Sequence, residues 1–307
     1  MRVSRSAQAS SAILARSITH RASRQAYYTI RWLVDAGRTD DAFRAYAYFR
    51  WLDDIVDAPS HDRAVGLQFL PHQRQLLSAL LDGRTPESLL PQEQMLSDLL
   101  SGWRDRHPGL PSYLENMMEV MEFDAGRRGR LITQSELDRY SLLLATAVMG
   151  AIGYFIGHDC RYPETPDRLS AVIGAHIAHM LRDTSADLQA GYLNIPRAVL
   201  EADYLSPSDV QHPAYRRWVR QRVENARRCF ADGRTYIRRM GCLRAQIAGY
   251  LYCARFEAVL HWIEHDGYGL RARYSRLPPA PAWITRFVPA RQEAMDAPWN
   301  MPTCGTG

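Results

Sequence analysis

The chain has 307 residues, enough for one large domain or two ordinary ones, and 46% of them are hydrophobic and 23% charged, as expected of a globular protein with a sizeable core. No apolar run is long enough to span a bilayer. The net charge is +5 and all 38 basic residues are arginine, which excludes Schiff-base chemistry through lysine, and no basic block with interleaved aromatics supports nucleic-acid binding.

Apolar residues recur at spacings of three and four along nearly the whole chain, which predicts helices over 11–34, 40–57, 62–82, 92–106, 111–124, 134–157, 166–189, 212–239 and 241–265. Residues Met1 to Val34 contain no acid but hold Arg2, Arg5, Arg16, Arg21, Arg24 and Arg31. That composition can mark a transit peptide. We favour an amphipathic first helix that turns Ile13, Leu14, Ile18, Tyr27, Tyr28 and Ile30 toward a core. Asp35-Ala36-Gly37 ends it, and Pro59, Pro71, Pro86, Pro91, Pro108 and Pro111 punctuate the stretch that follows the next helix. Arg161-Tyr162-Pro163 separates two long helices, and the chain turns proline-rich from Pro278. With no internal repeat and no linker, the expectation is one all-α domain over 11–276, a flexible N-terminus over 1–10 and a Pro-rich tail over 277–307.

Two of these helices end in acidic pairs. Asp53-Asp54-Ile55-Val56-Asp57 closes the second, and Arg182-Asp183-Thr184-Ser185-Ala186-Asp187 lies near the end of the seventh. Residues i and i+4 of a helix share a face, so Asp53 pairs with Asp57 and Asp183 with Asp187. Acidic turns are often solvated faces. Here, however, they follow apolar segments, Tyr46-Ala47-Tyr48-Phe49-Arg50-Trp51-Leu52 and Ala171-Val172-Ile173-Gly174-Ala175, and buried carboxylates are costly unless paired or metal-bound. Mg²⁺ takes one or two carboxylates and completes its shell with water and phosphate oxygens. Two such pairs fit a cavity that grips a diphosphate through metal ions.

The cysteines are Cys160, Cys229, Cys242, Cys253 and Cys304, with no Cys-x-x-Cys pair, as free thiols in a reducing, cytoplasmic compartment would be. No Glu-x-x-His occurs, against a di-iron carboxylate bundle.

Arg50-Trp51-Leu52-Asp53-Asp54-Ile55-Val56-Asp57 resembles the first aspartate-rich motif of the squalene and phytoene synthases. Leu181-Arg182-Asp183-Thr184-Ser185-Ala186-Asp187, followed by Gly191-Tyr192-Leu193-Asn194-Ile195-Pro196, resembles the second. Met121-Glu122-Phe123-Asp124, Glu136-Leu137-Asp138-Arg139-Tyr140 and Ile263-Glu264-His265-Asp266-Gly267-Tyr268 resemble further segments in family order. The resemblance implies an all-α isoprenoid synthase fold around a deep central cavity. It also implies head-to-head joining of two farnesyl or geranylgeranyl diphosphates through a cyclopropyl diphosphate. Carried over by position, Asp53, Asp57, Asp183 and Asp187 would hold Mg²⁺, with Mn²⁺ as the alternative ion. Arg50, Arg182, Tyr46 and Asp54 would meet substrate, and Tyr140 would be a cavity tyrosine or a core aromatic with a satisfied hydroxyl. NADPH is not expected, since no Gly-rich dinucleotide fingerprint is present. The long hydrocarbon substrates imply peripheral membrane association.

The sequence departs from the family pattern in three places. His179 and His176 stand where the second motif usually has Asn and Gln, Leu144-Ala145-Thr146-Ala147-Val148-Met149 replaces a Gly-containing stretch, and Phe256 replaces a tyrosine. His179 shares a face with Asp183 and Asp187, and imidazole suits Mn²⁺, Fe or Zn²⁺ better than Mg²⁺. His176 would line the substrate site. The alternative is that both histidines only hydrogen-bond their neighbours. Two other readings keep the fold: a class I terpene cyclase acting on one prenyl diphosphate, and a non-catalytic scaffold.

Overall fold

The computed structural model describes residues 2–56, 63–101 and 108–274. Within them the chain is helical, with α1 (Arg2–Ala22), α2 (Arg24–Leu33), α3 (Thr39–Val56), α4 (Arg63–Leu81), α5 (Pro91–Leu100), α6 (Gly109–Arg127), α7 (Gln134–Phe155), α8 (Ser170–Ala190), α9 (Arg197–Ala202), α10 (Pro213–Arg239) and α11 (Leu243–His265). No strand forms among the described residues. A lone β-bridge joins Ile132 to Pro196. Asp57, Cys304 and the expected tail over 277–307 lie outside the described residues.

One predicted helix divides. The stretch 11–34 is two helices, because Ser23 leaves the helical conformation (φ −155°, ψ 106°) and its hydroxyl accepts the Ala26 N–H at 3.1 Å. Serine favours that N-cap role, which satisfies a donor a helix start leaves open. Pro71 lies inside α4, within the helix predicted over 62–82. Ile13 and Tyr28, expected to face the core, are instead 69% and 42% exposed. The short α9 was not foreseen.

The core draws on every long helix. α6 packs antiparallel on α7, and α8 on α10. Where α8 meets α10, a Cβ on Gly233 would sit 2.6 Å from the Ala171 backbone, so only glycine allows the helices this close. The α6–α7 turn is sewn to the segment after α8. Gly129 N–H donates to the Gly191 carbonyl at 2.7 Å, Arg197 N–H to the Ile132 carbonyl at 2.8 Å, and Arg128 Nε to the Ala190 carbonyl at 3.1 Å. Gly191 ends α8 at φ +87°, a left-handed conformation natural to glycine. This seam brings Asn194 against the ends of α6 and α8, where the site forms. The described cysteines are all free thiols.

Candidate functional site

The second aspartate motif sits on the last two turns of α8. Arg182 Nε donates to Asp183 Oδ1 at 2.7 Å, and His179 Nε2 lies 2.8 Å from Asp183 Oδ2. Burial alone would raise the Asp183 pKa, but the bonds from Arg182 and His179 outweigh it and lower it to about 2. Asp183 is therefore a carboxylate at any working pH.

Asp187, one turn on, is held differently. Asn194 Nδ2 donates to its Oδ2 at 2.6 Å. Burial, reinforced by the charge of Asp183, outweighs Asn194 and Arg127 and raises its pKa to about 7. Two carboxylates one turn apart in a half-buried setting repel, and a cation relieves the repulsion.

Asn194 is oriented from behind. Tyr140 donates its hydroxyl to Asp124 Oδ2 at 2.8 Å, Arg127 Nε donates to Asp124 Oδ1 at 2.6 Å, and a second Arg127 nitrogen donates to Asn194 Oδ1 at 2.8 Å. Because the guanidinium takes the amide oxygen, the amide nitrogen must face Asp187. The Arg127 guanidinium also lies 5.1 Å from the Tyr140 ring centre and 4.9 Å from that of Tyr192. A continuous polar chain thus runs from α7 through α6 to α8. Tyr140 is buried and its hydroxyl is committed to Asp124; burial first, then Asp124, pushes its pKa well up. That geometry matches the core aromatic of the two roles open to it.

His176 is 3% exposed. The Ser141 hydroxyl donates to the Leu137 carbonyl at 3.0 Å, so its oxygen accepts from His176 Nδ1 at 3.1 Å. Burial, then the charges of His179, Arg127 and Arg222, push the His176 pKa well below its ordinary value, so the ring is neutral. Its edge meets the Tyr140 ring at 4.6 Å. His179 packs on Phe256 at 6.1 Å, so two departures from the family pattern touch each other.

The first motif closes α3. Arg50 pairs with Asp53 at 3.1 Å and also with Asp54. The Asp53 side chain is 12% exposed and that of Asp54 49%, so Asp53 is the enclosed member. Tyr46, one turn earlier, is half-buried and hydrogen-bonded to Ser23; burial raises its pKa, and the charges of Arg50, Asp53 and Asp54 act on it. The start of α2 therefore reaches Tyr46, one turn before the first motif. Its first turn also meets α11, because Arg255 donates to Gln25. Burial, then the like charge of Arg182, lower the Arg255 pKa to about 10, with Asp183 opposing. Arg255 and Arg182 thus stand as neighbouring cations beside Asp183.

Five residues here escaped the motif reading: Asp124, Arg127, Asn194, Gln25 and Arg255. Asp124 and Asn194 lay inside quoted segments but had no assigned role. Arg255 had a readable signal, a single arginine within the apolar run Ala248-Gly249-Tyr250-Leu251-Tyr252-Cys253-Ala254 and Phe256.

No cluster of three or more His, Cys, Asp or Glu side chains suited to a metal occurs among the described residues. Asp183 and Asp187 stand as a pair one turn apart on α8, which fits Mg²⁺, an ion that uses one or two protein carboxylates and fills its shell from water and phosphate.

The fold has solved counterparts. A squalene synthase, HpnC, from Alicyclobacillus acidocaldarius superposes with a TM-score of 0.64 at 20% identity, over 86% of this chain and 100% of that one. A dehydrosqualene synthase solved with a ligand gives 0.65 at 14% identity, over 86% and 89%. No curated relative matches by sequence. The helical architecture is thus that of the isoprenoid synthases. The squalene/phytoene synthase family model matches residues 19–282, and the chain belongs to that family.

Proposed function

We propose that the chain is a prenyltransferase that joins two prenyl diphosphates, farnesyl or geranylgeranyl, head to head and releases diphosphate. One observation carries the reading within the family. Each aspartate motif keeps an arginine on its first aspartate, Arg50 on Asp53 and Arg182 on Asp183. A departing diphosphate needs both metal-binding carboxylates and cations that grip its oxygens, and arginine grips phosphate through a planar fork.

In this reading Asp53, Asp57, Asp183 and Asp187 would hold Mg²⁺, and the chemistry such an ion would supply is neutralisation of the charge that grows on the leaving diphosphate. Arg182 and Arg255 take diphosphate oxygens, and the repulsion between them is relieved when the anion arrives. Arg127 and Asn194 fix the rotamer of Asp187. Phe256, which stands where the family has a tyrosine, has no hydroxyl to donate, so in this reading it offers apolar surface to the hydrocarbon.

Purified protein is incubated with Mg²⁺ and farnesyl or geranylgeranyl diphosphate, and the products are identified by mass spectrometry. A product carrying two prenyl chains, lost on chelation of the metal, is expected. A cyclised product with one chain would replace this reading by a terpene cyclase, and no product from either substrate would leave a non-catalytic scaffold. No helix among the described residues is long and apolar enough to cross a membrane, so contact with lipid, where such substrates reside, would be peripheral.

A further inference from the structure

α2 lies along α11. At one end Arg244 of α11 reaches the Leu33 and Val34 carbonyls at 3.4 Å and pairs with Asp35; at the other, Arg255 bonds Gln25. The two helices therefore run antiparallel over about 15 Å, at 1.5 Å per residue. The inner side of α2 is core, with Ile30 and Val34 buried and Tyr27 packed on Phe43 at 5.2 Å.

Its outer side is apolar as well. Tyr28 and Trp32, at i and i+4, are 42% and 68% exposed, with rings stacked at 5.0 Å. On α11, Leu243, Ile247 and Leu251 repeat at i, i+4 and i+8, and are 70%, 42% and 40% exposed. A single exposed apolar residue needs no explanation, but five on two adjoining helices do. Arg24 and Arg31 are exposed on α2, and neither α2 nor any position before it carries an acidic residue.

We propose that the α2–α11 face docks on an anionic lipid bilayer. Trp and Tyr favour the boundary between headgroups and acyl chains. An arginine-bearing helix with an apolar outer stripe lies flat in that boundary. The arginine rim complements anionic headgroups. The start of α2 also bonds Tyr46, on which the charges of Asp53 and Asp54 act, and Arg255, on which those of Arg182 and Asp183 act, so the helix that meets lipid is linked to the neighbours of both motifs. This deepens the proposed reading and rests on it: substrates that are long hydrocarbons with a diphosphate head reach such a site from a bilayer.

The test is co-sedimentation with vesicles of phosphatidylcholine alone and of phosphatidylcholine mixed with phosphatidylglycerol. Full-length protein should bind the mixed vesicles, less so as salt rises. The double variant Trp32→Ser/Ile247→Ser should bind about tenfold or more weakly, since each change removes apolar area from the boundary. Arg31→Gln should weaken binding to the mixed vesicles about fivefold and leave phosphatidylcholine binding alone. Both variants should turn over detergent-dispersed farnesyl diphosphate like the wild type. Unchanged vesicle binding by both variants would overturn the proposal. So would a wild-type dimer that Trp32→Ser/Ile247→Ser dissolves with vesicle binding intact, which would make the face an interface between copies. If these variants lose vesicle binding as expected while the wild type makes no prenyl product, the catalytic reading fails and the docking surface stands.

Discussion

Asp35 and Asp187 are both partly buried carboxylates, and the protein treats them in opposite ways. Asp35 lies after α2. It accepts backbone N–H groups from Gly157 at 3.0 Å and His158 at 3.2 Å, and it pairs with Arg244. Burial would raise its pKa, but these donors outweigh burial and lower it. At Asp187 burial, then the charge of Asp183, outweighs the Asn194 amide and Arg127, and its pKa rises to about 7. One carboxylate is satisfied by the fold itself and ties α2, α7 and α11 together. The other is left in want of a cation. Strain of this kind is what a binding site keeps in reserve and a structural anchor removes.

The sharpest way to break this contrast is Asp187→Asn. Turnover should fall on the order of a hundredfold or more, as when one group that neutralises transition-state charge is removed. Thermal stability without metal should hold or rise. The sign follows from the raised pKa: the folded state prefers the protonated form, so ionisation costs stability as pH climbs from 3.8 through about 7, and the amide removes that cost. Scanning calorimetry at pH 7 to 8 beside a turnover assay checks both halves, and a variant that loses stability but keeps turnover would invert the assignment.

Arg255→Gln probes the cationic side of the same region. KM for the prenyl diphosphate should rise about tenfold, the worth of one charge-assisted hydrogen bond, with a smaller change in kcat. Inhibition by inorganic pyrophosphate should weaken in parallel. An unchanged KM would confine Arg255 to its bond with Gln25.

Asp35→Ala should do the reverse of Asp187→Asn. It strands two backbone N–H groups and Arg244, so stability should drop by about 1–3 kcal/mol, with turnover per folded molecule unchanged. The pH sign is also reversed. A lowered folded pKa gives stability that is present above the ordinary carboxylate value of 3.8 and lost as pH falls through the folded value. The variant should therefore show a shallower acid limb than the wild type in urea melts below about pH 4.

The smallest effect is expected for His179→Asn. If the imidazole is a metal ligand, the ratio of Mn²⁺-supported to Mg²⁺-supported activity should fall about threefold, because nitrogen donors favour transition metals. An unchanged ratio would leave His179 as the hydrogen-bond partner of Asp183.

The sequence alone determined the all-α class, most helix positions and both aspartate motifs, because helical periodicity and i, i+4 carboxylate pairs are local properties of a chain. It could not foresee the break at Ser23, where one hydroxyl decides between a long helix and two. The tertiary structure decided which carboxylates are satisfied. Asp35 was read only as part of a helix stop, yet it binds residues more than a hundred positions away. Tyr140, His176 and Asn194 were visible, but their partners Asp124, Ser141 and Arg127 are set by the seam between the α6–α7 turn and the end of α8. Arg255 stood out as a charge in an apolar helix and gained its meaning only when packing set it beside Arg182 and Asp183. A residue's charge is written in the sequence. Whether that charge is neutralised depends on what the folded chain carries to within a few ångströms, and no local pattern encodes that distance.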